Sequence, residues 1–295
     1  MSGFRGRMSE HDHHHGLSHD LPGIIERGLG RRGVLSILGG LGAVTVVGCA
    51  TKDDGLSDVT NTETTTNGGP PNGAPPAGGQ SSTAVADGEI PEETGGPYPG
   101  DGSNGPNALS QSGVVRKDIT RSFGSASGVA AGVPLTIRLK VLDVNGDDAT
   151  AYAGAAVYLW HCDREGNYSM YSEAVVNENY LRGVQEADAT GALEFTSIFP
   201  AAYSGRWPHI HFEVYPTIDD ATSASNRLRT SQLALPEGVC LDVYENAEGY
   251  EQSVTNVAQT SLDSDMVFSD GYSLQMAKVT GSVEDGFVAT LNIPV

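Results

Sequence analysis

The chain has 295 residues, with 17 Lys and Arg against 37 Asp and Glu, a net charge of −20, and only three Cys. Such acidity argues against nucleic acid, whose binders need a basic face to displace counterions, and against an anionic lipid surface. Three Cys exclude a disulfide-dense scaffold and a four-Cys zinc site.

The charge is uneven. Residues 1–48 carry five Arg and four acidic residues, and the chain from Cys49 onward carries 12 basic and 33 acidic residues. Arg31-Arg32 stands before an apolar, Gly-rich run that ends Val46-Val47-Gly48-Cys49. The run is too short for a comfortable transmembrane helix. It reads as a twin-arginine export signal over 1–48 with a lipoprotein cleavage site, rather than as a buried N-terminal helix. Cleavage would leave a lipid on Cys49 as the one membrane contact. The expected place is the outer side of the cytoplasmic membrane, or the exterior if the protein is secreted. His11, His13, His14, His15 and His19 lie upstream with Asp12 and Asp20. Such a tract can bind metal; the plainer reading is a polar leader lost on cleavage.

Residues 49–112 are rich in Gly, Pro, Thr, Asn and Ser, as in Thr64-Thr65-Thr66-Asn67-Gly68-Gly69-Pro70-Pro71 and Pro97-Tyr98-Pro99-Gly100. Such a segment buries too little apolar surface to offset its ordering entropy. It is expected to be a flexible, disordered linker.

Residues 113–295 are long enough for one core. Leu135, Ile137, Leu139 and Val141 alternate, then Asn145-Gly146-Asp147-Asp148 turns. Ala155 to Trp160 is an apolar run; Leu193 to Phe199 stops at Pro200, His209 to Tyr215 at Pro216, and Leu228 to Leu235 at Pro236. Gln275–Ser282 and Phe287–Ile293 flank a hairpin signal at Glu284-Asp285-Gly286. Short strands at this spacing predict an all-β domain, an antiparallel β-sandwich with long loops. Pro236–Ser269 is less regular and suits a short helix or a long loop.

The stretch Tyr203-Ser204-Gly205-Arg206-Trp207-Pro208-His209-Ile210-His211-Phe212 carries the chemistry. On a strand, residues i and i+2 share a face, about 7 Å apart. His209 and His211 can thus converge on one metal while Ile210 and Phe212 face the core. A lone His-x-His also occurs in zinc and copper sites and as surface alternation. No Cys thiolate or His-Glu-x-x-His helix accompanies it. Tyr203 and Tyr168 supply hard oxygen donors that suit Fe(III).

Val157-Tyr158-Leu159-Trp160-His161-Cys162-Asp163-Arg164-Glu165-Gly166-Asn167-Tyr168-Ser169, Leu181-Arg182-Gly183-Val184-Gln185 and Tyr203 to Phe212 resemble, in this order, the metal-binding segments of the intradiol ring-cleavage dioxygenases. The similarity is greatest to exported proteins like the protocatechuate 3,4-dioxygenase β chain, and it covers most of residues 114–295. It implies one non-haem, mononuclear Fe(III) held by Tyr168, Tyr203, His209 and His211, with Tyr203 and His211 axial. It implies that a catechol-type diol binds the iron and reacts with O2 to give a cis,cis-muconate-type product, Tyr203 serving as a base. The Lewis acidity of Fe(III) would let the diol bind as its dianion near neutral pH. No reductant is needed, so no flavin or nicotinamide motif is expected. Arg206 matches the family's active-site arginine and would stabilise developing negative charge; the alternative is a surface salt bridge. Gln232 falls where relatives have a supporting glutamine. Trp160, Trp207 and His161 are expected to be structural.

Relatives often have Gly where Ala201 stands; a positive φ there would make Ala costly. Cys162 and Cys240 leave a disulfide and two buried thiols equally open. Relatives include heteromers, so an oligomer is compatible with the sequence. Two other functions compete: a zinc or copper site on the His pair alone, and an exported metal-binding or ligand-binding lipoprotein without dioxygenase activity.

Overall fold

A computed structural model describes residues 88–145 and 148–295. The export signal, Cys49, the His-rich leader and the linker as far as residue 87 lie outside the described residues. Among the described residues, no helix is long and apolar enough to cross a membrane.

Period-two alternation builds two sheets. In the first, β1 (Pro134–Asn145) pairs antiparallel with β5 (Ala192–Ile198) and, further along, with β2 (Asp148–Ala151). Its other edge takes β9 (Gly286–Pro294), which is paired in turn with β8 (Lys278–Ser282). The second sheet runs β4 (Arg182–Glu186), β3 (Ala156–Trp160), β6 (His209–Tyr215), β7 (Arg229–Ala234), all antiparallel. The expectation of a wholly antiparallel sandwich is corrected at one pairing: β1 and β9 are parallel, from Leu135 opposite Phe287 to Leu142 opposite Pro294. The two strands are far apart in sequence, so no tight turn forces them antiparallel.

Both sheets feed one apolar core. Leu135, Ile137, Leu139, Phe195, Phe287 and Ala289 come from the first, and Val157, Leu159, Ile210, Phe212 and Leu233 from the second. The opposite face of the second sheet carries Tyr158, Trp160, Arg182, His209, His211, Glu213 and Gln232, which are also buried. Strands covered on both faces read as unbroken buried runs, as β3 and β6 do.

β2 and β4 carry no strand signal in the sequence. β2 is four polar or small residues, and β4 spends its buried face on Arg182. Pro236–Ser269 forms α1 (Glu237–Asn246), α2 (Glu251–Val257) and a short 3-10 turn. Cys240, Val243 and Tyr244 put the buried stripe of α1 at i, i+3 and i+4.

The linker boundary also moves. Residues 88–112 run along the domain: Ile90 is buried and its N–H donates to the Pro294 carbonyl, and Ala108 and Leu109 are buried. Gly and Pro here serve close approach rather than looseness. Gly100, at φ +64, lies against the Arg182 guanidinium where a Cβ would fall 2.7 Å from Nη1.

Gly191, in the turn into β5, adopts φ +79, and a Cβ there would lie 2.4 Å from the Val141 carbonyl oxygen. Gly191→Ala is expected to lower unfolding free energy by about 1–3 kcal/mol, read from urea denaturation. An unchanged midpoint would contradict the strain.

Candidate metal centre

β6 ends the loop from Pro200 and places His209 and His211 on one face, with Ile210 and Phe212 on the core side. Tyr203 comes from that loop, and Tyr168 from the loop after β3. The structure brings the four together. Tyr168 Oη lies 3.3 Å from Tyr203 Oη, Tyr203 Oη 3.1 Å from His209 Nε2, and His209 Nε2 3.0 Å from His211 Nε2. The loop carrying Tyr168 is tightly turned, with Met170 at φ 70, and Leu181 before β4 is at φ 56.

His209 Nδ1 faces the Trp207 carbonyl, so Nδ1 carries the proton and Nε2 a lone pair. His211 is stacked on the Trp160 indole, centroids 4.9 Å apart and planes within 5°, and its buried Nδ1 has no partner. Gly96 covers the other side: a Cβ there would sit 3.4 Å from His211 Cε1. Tyr98 packs on Tyr168 with centroids 5.0 Å apart.

Burial drives all four groups to their neutral forms. It lowers the His209 pKa well below the usual range, helped by Arg206, and that of His211 likewise, helped by His209 and Arg206. It raises Tyr168 well above its ordinary value, with Tyr203 adding to the shift, and pushes Tyr203 up to about 12 against the opposing field of Arg206. Two neutral imidazoles and two phenols therefore face one point.

A metal ion fits them. Two Nε2 atoms 3.0 Å apart leave lone pairs opposed unless a proton or a cation lies between. Donors each about 2.1 Å from one ion and at right angles to each other stand about 3 Å apart, the spacing seen here. Among the described residues, no group of three or more His, Cys, Asp and Glu could hold a metal. Tyrosine oxygen is what completes this set, and it favours a hard, trivalent ion.

Arg206 is buried, not part of a surface salt bridge. Its Nε donates to Asp265 Oδ2 at 2.9 Å and its Nη2 to Gln232 Oε1 at 2.6 Å. Gln232 is fixed in turn by donating to the Thr94 carbonyl at 2.9 Å. Trp207 is a packing residue whose indole N–H donates to the Leu235 carbonyl. Ala201 is not among the residues with positive φ, so its methyl group costs nothing there. Cys162 and Cys240 are buried free thiols, which corrects the disulfide alternative. Cys162 Sγ is turned to the Ala201 carbonyl.

His161 is buried between the Cys162 carbonyl and Ser197 Oγ, each 2.7 Å away. Burial lowers its pKa to about 4. The folded protein then binds fewer protons than the unfolded chain between pH 6.5 and 4, so this contribution is full above pH 6.5 and is lost as pH falls toward 4. The stability advantage of wild type over His161→Gln is expected to shrink by about 3 kcal/mol from pH 7 to pH 4, measured by urea denaturation at each pH. A pH-independent difference would contradict a neutral buried His161.

Sequence reasoning missed Asp265, Arg182 and the Thr94–Gly100 segment. Asp265 sits in an irregular stretch with no motif. Arg182 lay within a recognised segment, but its burial needs the strap that covers it. The Gly and Pro content of 94–100 pointed to a linker.

Residues 104–219 match a family model described as Dioxygenase. That segment is similar to the dioxygenase family. The matched segment holds Tyr168, Tyr203, Arg206, His209 and His211, and ends before Gln232 and Asp265. The chain is similar to a chlorocatechol 1,2-dioxygenase of Rhodococcus opacus, 30% identical over 92 residues, which is 28% of this chain and 35% of that protein. It is also similar to catechol 1,2-dioxygenase 2 of Acinetobacter lwoffii, 34% identical over 77 residues and 26% of each chain. The matches thus span about a third or less of those relatives. Among solved structures, an intradiol ring-cleavage dioxygenase from Tetranychus urticae is 21% identical with a TM-score of 0.48, covering 61% of this chain and 86% of that one. The similarity to these dioxygenases rests on the sequence matches.

Proposed function

We propose that the chain is an Fe(III)-dependent intradiol dioxygenase that opens a catechol-type aromatic diol with O2 to a cis,cis-muconate-type product. The convergence of Tyr168, Tyr203, His209 and His211 within 3.0 to 3.3 Å of one another along the chain of donors carries this reading. A ferric ion held there supplies the Lewis acidity that lets a diol bind as its dianion and react with O2 at ring carbon.

The protein's own residues do the rest. Tyr203 Oη, between Tyr168 and His209, would be placed to take a proton from the incoming diol once ferric-ion binding has removed its own. The Trp160 ring fixes the plane of His211, and the Trp207 carbonyl fixes the tautomer of His209. Arg206, aligned by Asp265 and Gln232, is a preorganised donor for negative charge that develops on the ring. The Gly95–Tyr98 cover limits water at the ligands.

The substrates are a small aromatic diol and O2. The chain is exported by the Arg31-Arg32 signal and anchored through a lipid on Cys49; changing both Arg to Lys should stop export of metal-loaded protein, and unchanged export would refute that route. The enzymatic reading is tested by supplying iron-loaded protein with a panel of catechols under 18O2. One oxygen uptake per ring opened, with both labelled atoms in a muconate-type product, supports it. No oxygen uptake with any catechol refutes it.

A further inference from the structure

Asp265 is completely buried in the irregular stretch between α2 and β8. Its Oδ2 accepts from Arg206 Nε at 2.9 Å and from the Trp207 backbone N–H at 2.7 Å. Its Oδ1 accepts from Arg206 Nη2 at 3.3 Å and from the Val267 and Phe268 backbone N–H groups at 2.8 and 3.3 Å. The carboxylate therefore ties the guanidinium, the backbone two residues before His209, and its own loop into one unit. Gln232 takes the remaining bond of Nη2. Nη1 makes none of these bonds and is the uncommitted end of the side chain. Arg206 also sits in the same loop as Tyr203, its N–H donating to the Tyr203 carbonyl at 3.3 Å.

We propose that Asp265 is the positioning and charge-offsetting residue of this centre: it holds Arg206 so that Nη1 is presented to the bound diol as a directional donor whose positive charge is partly offset. The diol in that statement rests on the dioxygenase reading; the hold on Arg206 does not. Asp265 offsets part of the Arg206 charge, and the rest of its field still reaches Tyr203, His209 and His211. The other buried arginine near the ligands, Arg182, is committed to the carbonyls of Tyr98, Pro99 and Ser169 and to two hydroxyls. Glu93, bonded to Gln275, lies near the pair, but burial and Asp270 push its carboxyl up to about 7, so near neutral pH it adds only part of a negative charge. Loss of either partner of the Arg206–Asp265 pair therefore shifts the pocket's preference between an uncharged diol and one bearing a ring carboxylate.

The test compares anaerobic binding of 4-methylcatechol and 3,4-dihydroxybenzoate to iron-loaded wild type, Asp265→Asn, Arg206→Gln and the double variant. The quantity read is the ratio of Kd for the acid to Kd for the uncharged diol. Iron content and melting curves verify folding. Asp265→Asn unmasks the cation and should lower the ratio about tenfold; Arg206→Gln unmasks the carboxylate and should raise it by a similar factor. The double variant should return near the wild-type ratio, because the two residues act through one another. Equal weakening of both diols in each single variant would overturn the proposal, since a merely structural role moves both alike. Should Asp265→Asn fail to fold, Arg206→Gln alone decides by the same criterion. A wild type that takes up no iron refutes the dioxygenase reading instead. The hold on Arg206 is then read in metal-free protein from its 15N-labelled Nε–H. A resonance protected from exchange in wild type supports the proposal, and one that exchanges like an exposed arginine overturns it.

Discussion

Tyr168→Phe is expected to remove the visible colour of the iron-loaded protein and to lower ring-cleavage activity by more than about 100-fold, the loss that even outer-shell changes at metal sites reach. Folding should be almost untouched. The Tyr168 hydroxyl makes one long contact, 3.3 Å to Tyr203, so the ring can remain packed without it. A loss of about 1 kcal/mol is the upper end for such a bond. This separates the iron site from its rival, because zinc or copper held by His209 and His211 alone would lose little metal with Tyr168. Metal analysis of the purified variant, beside oxygen uptake, checks it. Retained iron and activity would remove Tyr168 from the ligand set.

The second large effect lies away from the ligands. Arg182 is buried, and its guanidinium donates to the Pro99 carbonyl at 2.7 Å, the Tyr98 and Ser169 carbonyls at 2.9 Å, Ser169 Oγ at 3.1 Å and Tyr158 Oη at 3.2 Å. It forms none of the ion pairs among the described residues. Its charge is solvated by backbone dipoles, and those dipoles belong to the strap over the metal centre and to the loop that carries Tyr168. Arg182→Met keeps length and apolar volume but removes the guanidinium bonds to the Tyr98, Pro99 and Ser169 carbonyls, of which Pro99 keeps the one from Tyr158 Oη. The expected cost is about 3–5 kcal/mol in urea denaturation, with faster proteolysis within residues 95–101. A change below about 1 kcal/mol would show that the strap is held by packing alone.

What the sequence disclosed follows what local chemistry determines. His-x-His on an alternating stretch placed both imidazoles on one face, since a strand's period is fixed by its backbone. The tyrosines came through resemblance, because nothing local says that Tyr168 and Tyr203, from separate loops, should meet. β4 was opaque because its one long buried side chain is charged, so alternation carried no apolar signal. Composition suggests a loose 88–112 segment because it counts apolar residues and misses backbone held by Arg182, by the Gln232 amide and by the pairing of Ile90 with Pro294. Asp265 illustrates the limit most clearly: a lone acid in an irregular loop, it becomes legible only when its five hydrogen bonds to Arg206, Trp207, Val267 and Phe268 are seen together. The parallel pairing of β1 and β9 likewise depends on residues about 150 apart, beyond any local pattern.

The proposed centre joins two tyrosines and two histidines in one ferric site open to a diol. It is tested most directly by the visible spectrum of the iron-reconstituted protein, with iron quantified on the same sample, before and after anaerobic addition of catechol. One iron per chain is expected, with a tyrosinate-to-Fe(III) charge-transfer band that shifts when catechol binds. A protein that stays colourless after reconstitution with Fe(III) would contradict it.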